Sequence, residues 1–235
     1  MSTAPQRDRK AAISNAVSNF ITRYRIPIIG LLVAILVIVV GLFAYFEIRD
    51  NRAAAAAEEL ASVEETFTEW QNAEENGKDE LEEALIQDIE DLVSRYGNTY
   101  AGARGRFLRG EVHWLNEEWT QAAEWYTAVA DENPRSHLSS IALYNAAAAH
   151  ESAGGAPAAV ETLTRLVESY SESGAAEIPR ALFSLGRLKE GQESYGEAAG
   201  HYRELIQDYG GSNWTNLARD RIIFLTSEGL IDEAS

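Results

Sequence analysis

The chain has 235 residues, a formal net charge of −17 and no cysteine. The lack of cysteine excludes disulfide bonds and thiolate metal sites. Residues 1–46 hold five basic side chains and one acid, so the acidic excess lies in the rest of the chain. Such an acidic surface repels a phosphate backbone, which excludes nucleic-acid binding as the main role.

An uncharged apolar segment at residues 26–46 follows a basic tail at residues 1–25. A helix of this length spans roughly 30 Å, the thickness of the bilayer hydrocarbon. Bases precede the segment and acids dominate the stretch after it, so the positive-inside rule predicts a cytoplasmic N-terminus. A signal peptide cleaved near the alanines at 53–57 is the alternative, but the long apolar core favours an uncleaved single-pass anchor. One face of the tail carries Ile13, Val17, Phe20 and Ile21, which suits either a short helix on the inner leaflet or a disordered segment.

Two amphipathic helices are predicted after the membrane segment. The first covers residues 52–74 and should continue from the span with little break. Gly77 interrupts the pattern, and the second helix covers residues 79–96. The apolar faces comprise Leu60, Val63, Phe67 and Trp70 in the first helix, and Leu81, Leu85, Ile89 and Leu92 in the second.

A short phrase recurs along the chain as LVSRYGNTY, LVESYSESG and LIQDYGGSN. Its copies fit a period of 37 to 39 residues, and such a period predicts a solenoid of repeated helix pairs. After a first helix pair at 47–97, the pattern predicts units at 103–136, 140–173 and 179–212. A capping helix is predicted at 213–228, with Leu217, Ile222 and Leu225 covering the last repeat.

The three units resemble tetratricopeptide repeats, which pair two antiparallel helices in each repeat. Arg109, where a leucine is usual, and Ser171 and Gly210, where a proline is usual, depart from the pattern. The predicted fold is therefore all-α, with one N-terminal transmembrane helix and a solenoid of about 3.5–4 helical-hairpin repeats. The matching packing positions are Gly110, Ala147 and Gly186 in the first helix; Trp119 and Tyr195 at the turn; Ala122, Ala159 and Ala198 opening the second helix; Tyr126, Leu163 and Tyr202 within it; and Pro134 at its end.

The order of elements carries a second resemblance. A basic tail, one span and an Ala/Glu-rich helix lead to YGNTYAGARGRFLRGEVHWLNEEWTQAA at residues 96–123. This order is similar to that of the YfgM-type proteins of bacterial inner membranes, which are ancillary subunits of the Sec translocon. The resemblance extends from about residue 20 to the end. It implies that residues 47–235 are periplasmic, and that the partners are the SecYEG channel and periplasmic chaperones.

The sequence contains no recognisable catalytic or cofactor motif, so we expect no enzyme activity, cofactor, metal or small-molecule substrate. His113 and His150 occupy equivalent repeat positions and are expected to pack against neighbouring helices. The stretch GRLKEGQES at 186–194 lacks the Lys-Ser/Thr pair of a phosphate-binding loop.

These observations favour a non-enzymatic, membrane-anchored protein that binds other proteins. Its acidic surface should favour basic or amphipathic partner segments. Packing inside the solenoid is the favoured role of the tryptophans, but an exposed tryptophan often anchors a partner, so Trp70, Trp114 and Trp214 are also candidate contact residues. A structural envelope protein that coordinates cell-wall or division machinery is the alternative function, and homo-oligomerisation stays open.

Overall fold

The computed structural model describes residues 5–232, without the side chains of residues 5–23, 25, 28, 75 and 76. The apolar face predicted in the basic tail consists of side chains from this undescribed set. The described part of the chain contains nine α-helices and no β-strand. It divides into a unit that ends at Ala55 and a unit that begins at Ala56.

Helix α1, Pro5–Asn72, contains both the predicted membrane segment and the amphipathic helix that follows it. Within the described residues, α1 is the one helix long and apolar enough to cross a membrane. Its apolar window has a mean hydropathy of 2.9, and none of that window is buried against the rest of the protein. These side chains therefore have the length and composition of a single-pass membrane anchor.

The unit that begins at Ala56 contains the end of α1 and eight further helices. Helix α2 begins before the predicted residue, so Gly77 lies in its first turn rather than between two helices. The helices are α2 (Glu75–Tyr96), α3 (Tyr100–Leu115), α4 (Trp119–Glu132), α5 (Leu138–Ser152), α6 (Ala156–Tyr170), α7 (Ile178–Gly191), α8 (Tyr195–Asp208) and α9 (Asn213–Ser227).

Helices α2 to α9 form two layers of a tetratricopeptide-type α-solenoid. Each helix packs against the next in the chain, and α3 also contacts α5 while α7 contacts α9. The first helices of successive pairs therefore line one side. We call the surface formed by residues 56–72 of α1 and by α3, α5, α7 and α9 the inner face.

The turn inside each repeat has the same backbone geometry. Glu117, Gly154 and Glu193 adopt left-handed φ angles of 60°, 79° and 58°. The amide of the next residue donates to a carbonyl of the preceding helix in all three turns, over 2.8 to 2.9 Å. This bond satisfies a carbonyl that the end of the helix leaves unpaired. The shared turn directs the second helix of each pair back along the first.

Buried polar contacts connect consecutive repeats. Arg106 is 5% exposed, and its Nη1 donates to the Gly97 carbonyl at 2.9 Å and to Asn133 Oδ1 at 3.1 Å. Asn133 Nδ2 donates to the same carbonyl at 3.0 Å. The loop before α3 is thus joined to the loop after α4, which orients the first full repeat against the end of α2, the helix that precedes it.

The last helix covers the solenoid with a different set of residues from the predicted one. Leu225 is fully buried, and Ile222 is partly buried. Leu217 is 46% exposed, so its predicted capping role is wrong. Thr215 and Ala218 occupy the buried positions instead, because the face of α9 that packs on α8 contains these smaller side chains.

Candidate protein-binding face

The repeat-signature residues lie in the packing between helices. Gly110 and Gly186 lie beneath the rings of Tyr126 and Tyr202. Ala122, Ala159 and Ala198 are fully buried, and Ala147 and Leu163 lie in the core cluster of the later repeats. Trp119 and Tyr195 are half-buried, and the exposed Pro134 accepts a hydrogen bond from the Tyr170 hydroxyl at 3.1 Å. The buried members pack between helices, and of these Tyr126 also lines the groove described below.

The three candidate tryptophans lie in different environments. Trp70 is 1% exposed and packs against Phe67 with ring centroids 5.7 Å apart, so the structure contradicts its proposed role as a partner contact. Its position on the core-facing side of α1 buries it beneath α2 and α3. Trp214 is half-buried against Phe183, with centroids 5.3 Å apart. Trp114 is half-buried and borders a groove on the inner face.

A groove of about 270 Å³ opens on the inner face between α1, α3 and α5. Its walls combine aromatic side chains with one carboxylate and two amides, and Leu115, at its rim, is 52% exposed. Sites for drug-sized ligands occupy about 300–1,000 Å³, so this groove suits one or two side chains of a protein partner. We call it the inner-face groove; it is lined by Phe67, Gln71, Glu111, Trp114, Leu115, Tyr126 and Asn145.

The carboxylate in the groove belongs to a cluster of three charged side chains. Arg104 donates from Nε to Glu64 at 2.9 Å and from Nη1 to Glu111 at 3.0 Å. Burial raises the pKa of Glu111 above its ordinary value, and Arg104 offsets only part of this effect. Because two carboxylates share one guanidinium, the cluster has a net negative charge when both are ionised.

Tyr126 forms the floor of the groove and stays neutral. Burial raises its pKa well above the ordinary value, and the nearby charge of Glu111 raises it further. A hydrogen bond with the Asn145 side chain acts in the opposite direction. The groove therefore combines a neutral polar floor with a single carboxylate on its wall.

Comparison with known proteins agrees with this architecture. The sequence pattern of the family described as "Tetratricopeptide repeat-like domain" matches residues 18–206. The chain belongs to this family. Domains of this family mediate protein–protein interactions and are typically non-catalytic.

Two similar proteins illustrate this likeness, a curated relative and a solved structure. A TPR repeat-containing protein of Treponema pallidum (strain Nichols) is 27% identical over 151 residues, which cover 63% of this chain and 61% of the relative. The chain thus spans less than two thirds of that relative. The apo form of RapI has a TM-score of 0.52 and 14% identity, covering 69% of this chain and 44% of RapI. This second likeness shows the fold alone.

The groove residues Gln71, Glu111, Leu115 and Asn145 were missed by sequence reasoning. Repeat register offers a signal for Glu111, which can be compared with Trp114, a groove residue that the sequence did indicate. Glu111 immediately follows the small residue Gly110 in the first helix of its tetratricopeptide repeat, and Trp114 comes three residues later. The same two positions in the next repeats are Ala148 and Glu151, then Arg187 and Glu190. The residue type varies between repeats, as expected where helix packing does not dictate it.

The later repeats of the domain use these positions for internal ion pairs. Arg187 forms a bidentate pair with Glu151, with both N–O distances at 2.6 Å. Glu190 accepts hydrogen bonds from Arg221 and from the Tyr202 hydroxyl. These carboxylates are already matched by cations of the same face, whereas Glu111 shares its arginine with Glu64.

Arg109, one of the departures from the repeat pattern, packs against an aromatic ring and lies near a carboxylate. The guanidinium of Arg109, at a position where leucine is usual, lies 5.7 Å from the ring centroid of Trp125. Its side chain is 12% exposed and its Nη2 lies 3.9 Å from Glu90. Burial lowers the pKa of Arg109, and the charge of Glu90 opposes this effect. The cation packs on an aromatic ring within the family's helix arrangement.

The histidines do not assemble a metal site in the described part of the chain, where no group of three or more His, Cys, Asp or Glu side chains could hold a metal ion. His113 Nδ1 lies 2.5 Å from Glu118 in the turn of its repeat. His150 is half-buried, and burial lowers the pKa of His201.

Proposed function

We propose that this protein is a membrane-anchored tetratricopeptide repeat protein that binds a segment of another protein on its inner face. The inner-face groove carries the proposal, because it places an exposed leucine and a half-buried tryptophan beside a carboxylate. Apolar and aromatic side chains at the edge of a groove are the usual anchors of protein interfaces.

The proposed location is the outer face of a bacterial inner membrane. The basic tail and the acidic stretch after the span support a cytoplasmic N-terminus and a periplasmic repeat domain over residues 47–235. Anchoring would raise the effective concentration of the domain beside its partner, so weak contacts would suffice. The resemblance of residues 96–123 to the YfgM-type proteins supports a finer proposal: an ancillary factor that links the Sec translocon to periplasmic chaperones.

Orientation is tested with single cysteines, because the natural sequence has none. Glu168→Cys places a thiol on exposed surface of α6, and Ser2→Cys places one in the basic tail. In cells with a permeabilised outer membrane, an impermeant maleimide should label the first thiol and label the second only after lysis. The reverse pattern would contradict the proposed topology.

Partner binding is tested by photocrosslinking of the full-length chain in its native membrane. A benzophenone amino acid replaces Leu115 at the groove rim, or Glu168 as a control on a second helix of a repeat. We expect crosslinks to translocon subunits and periplasmic chaperones at the first position only, and their loss on Trp114→Ala. Crosslinks to cell-wall or division proteins alone would contradict the Sec role. Equal crosslinking at both positions would contradict the inner face as the binding surface.

A further inference from the structure

We propose that the inner-face groove binds a lysine or arginine side chain of the partner segment, with Glu111 as its counter-ion. This inference rests on the proposed function, since it names the chemistry of the segment that the inner face binds. The occupant is a basic residue flanked by apolar residues. The charge, the aromatic walls and the exposed rim of the groove each support it.

The charge balance of the groove favours a cation. The groups that face Glu111 are Arg104 on the same helix, Glu64 on α1 and the neutral Tyr126 on α4, while α5 contributes the uncharged Asn145. None of the seven lining residues is basic. One guanidinium therefore serves two carboxylates, and an incoming cation would balance the second.

The burial of Glu111 adds to this preference. Its side chain is 32% exposed, and removal from water disfavours the ionised form. A cation that enters the groove would stabilise that form at short range, where the surrounding protein screens the attraction less than water does. A carboxylate from a partner would instead be repelled, and an apolar side chain would bury Glu111 further without replacing its lost hydration.

The walls of the groove suit the rest of a basic side chain. Phe67, Trp114 and Tyr126 present aromatic surface beside the carboxylate. Lysine and arginine bury their methylene groups against such surface, and their charged ends are attracted to aromatic faces. Leu115 at the rim would contact apolar residues on either side of the base. The whole-chain charge of −17 would attract the same segment at longer range.

The test uses the full-length chain in detergent micelles and four fluorescent peptides. The peptides share an Ala/Leu framework and carry Lys, Arg, norleucine or Glu at one central position. Norleucine keeps the methylene groups of lysine and removes the charge. We expect the Lys and Arg peptides to bind about tenfold more tightly than the norleucine peptide, as for a charge-assisted hydrogen bond in a partly buried site. The Glu peptide should bind most weakly.

Two variants with the same change in net charge distinguish a local effect of the groove on peptide affinity from the long-range attraction of the whole acidic protein. Glu111→Gln should lower the affinity for the Lys peptide about tenfold and should not lower that for the norleucine peptide, because an uncharged amide is less costly to bury than a carboxylate. Glu161→Gln, on exposed surface of α6, should leave both affinities within about twofold, because salt screens a distant exposed charge. Norleucine binding that is not weakened also shows that Glu111→Gln is folded.

The outcomes that overturn the inference differ from those that overturn the proposed function. Equal binding of the Lys and norleucine peptides, or equal losses in Glu111→Gln and Glu161→Gln, would refute the cation-binding groove while partner binding stands. Failure of every peptide to bind, or binding that Trp114→Ala does not weaken, would overturn the inner-face function and the inference with it.

Discussion

The ring of Tyr126 packs directly against the backbone of Gly110, and this contact sets how closely α3 and α4 approach. A methyl group added at Gly110 would lie 2.7 Å from two ring carbons of Tyr126. Gly186 and Tyr202 form the equivalent contact between α7 and α8. In the middle repeat Ala147 replaces the glycine, and Leu163 replaces the tyrosine. The size of the first residue is thus matched to that of the second.

Gly110→Ala should destabilise the repeat domain. Overpacking costs about 1–3 kcal/mol, and the better helix propensity of alanine offsets up to about 1 kcal/mol of it. The matched control is Gly200→Ala in α8, where nothing lies within 4 Å of the added methyl group. The control should gain about 0.5–1 kcal/mol. Guanidinium unfolding of the full-length chain in micelles, followed by circular dichroism, measures the change in free energy of unfolding for both variants. A change of the same sign in both would contradict the close contact between Gly110 and Tyr126.

Glu117→Gly and Glu193→Gly should each stabilise the fold by about 0.5–1 kcal/mol, because both glutamates adopt a left-handed conformation that glycine accepts without steric cost. Gly154→Ala, at the equivalent turn, should destabilise by about 1 kcal/mol. Glu117→Ala removes the same charge without relieving the backbone and serves as the control. Thermal unfolding midpoints distinguish these variants, and a gain in Glu117→Ala equal to that in Glu117→Gly would assign the effect to charge.

Glu190→Gln should cost about 1–3 kcal/mol at neutral pH, because Arg221 and the Tyr202 hydroxyl lose their charged acceptor. Burial acts to raise the pKa of Glu190, but hydrogen bonds from Arg221 and Tyr202 outweigh it, so the folded-state pKa is lowered. The folded state therefore binds this proton less readily than the unfolded chain. The contribution of ionised Glu190 to folding stability is complete above 4.5, the ordinary pKa of a glutamate. It is lost as pH falls through the lowered pKa of the folded state.

The wild type and Glu190→Gln should thus converge in stability on acidification. Unfolding measured across this acid range checks the convergence. A difference between the two proteins that does not depend on pH would show that the glutamate acts through shape rather than charge.

Leu225→Ala and Leu217→Ala make a matched pair on α9. Leu225 is fully buried in the core of the last repeats, so its truncation should cost about 2–4 kcal/mol. Leu217 is 46% exposed, so its truncation should change the free energy of unfolding by less than about 0.5 kcal/mol. Urea titration of both variants compares them directly, and a large loss in Leu217→Ala would restore the capping role that the structure denies it.

Binding of the Lys peptide should weaken as pH falls through the raised pKa of Glu111. The carboxylate must be ionised to attract the cation, and burial makes it accept a proton at a higher pH than an exposed glutamate does. The charged and polar groups around it are Arg104, Glu64, Tyr126 and Asn145, of which Tyr126 stays neutral across this range. Fluorescence titrations at several pH values should show this loss for the Lys peptide, and a much smaller one for norleucine or for Glu111→Gln.

The helical solenoid was predictable because the repeat unit leaves a regular signature. Small residues recur where two helices approach closely, and large ones recur where they cover the small ones. The long apolar helix was predictable for a related reason, since it follows from the length and composition of one uncharged segment. Both signals depend on residue type and spacing along the chain.

The prediction that Leu217 caps the solenoid was wrong because capping depends on which side of a helix meets a neighbour. Trp70, by contrast, lies on the apolar stripe that the spacing of its helix predicts, and the structure buries it beside Phe67. Leu217 belongs to a helix that has no following partner among the described residues, so part of its apolar surface stays exposed. Hydrophobic spacing identifies an apolar face but does not show whether a neighbouring helix covers all of it.

The amino-acid sequence by itself determined the repeat architecture, the long apolar N-terminal segment and the acidic character of the protein. Each follows from periodicity or composition, which need no knowledge of neighbouring elements. Only the tertiary structure decided that Glu64 and Glu111 share Arg104 beside an aromatic groove. These residues come from two helices far apart in the chain, and the groove exists because the packing of α1, α3 and α5 brings their side chains together.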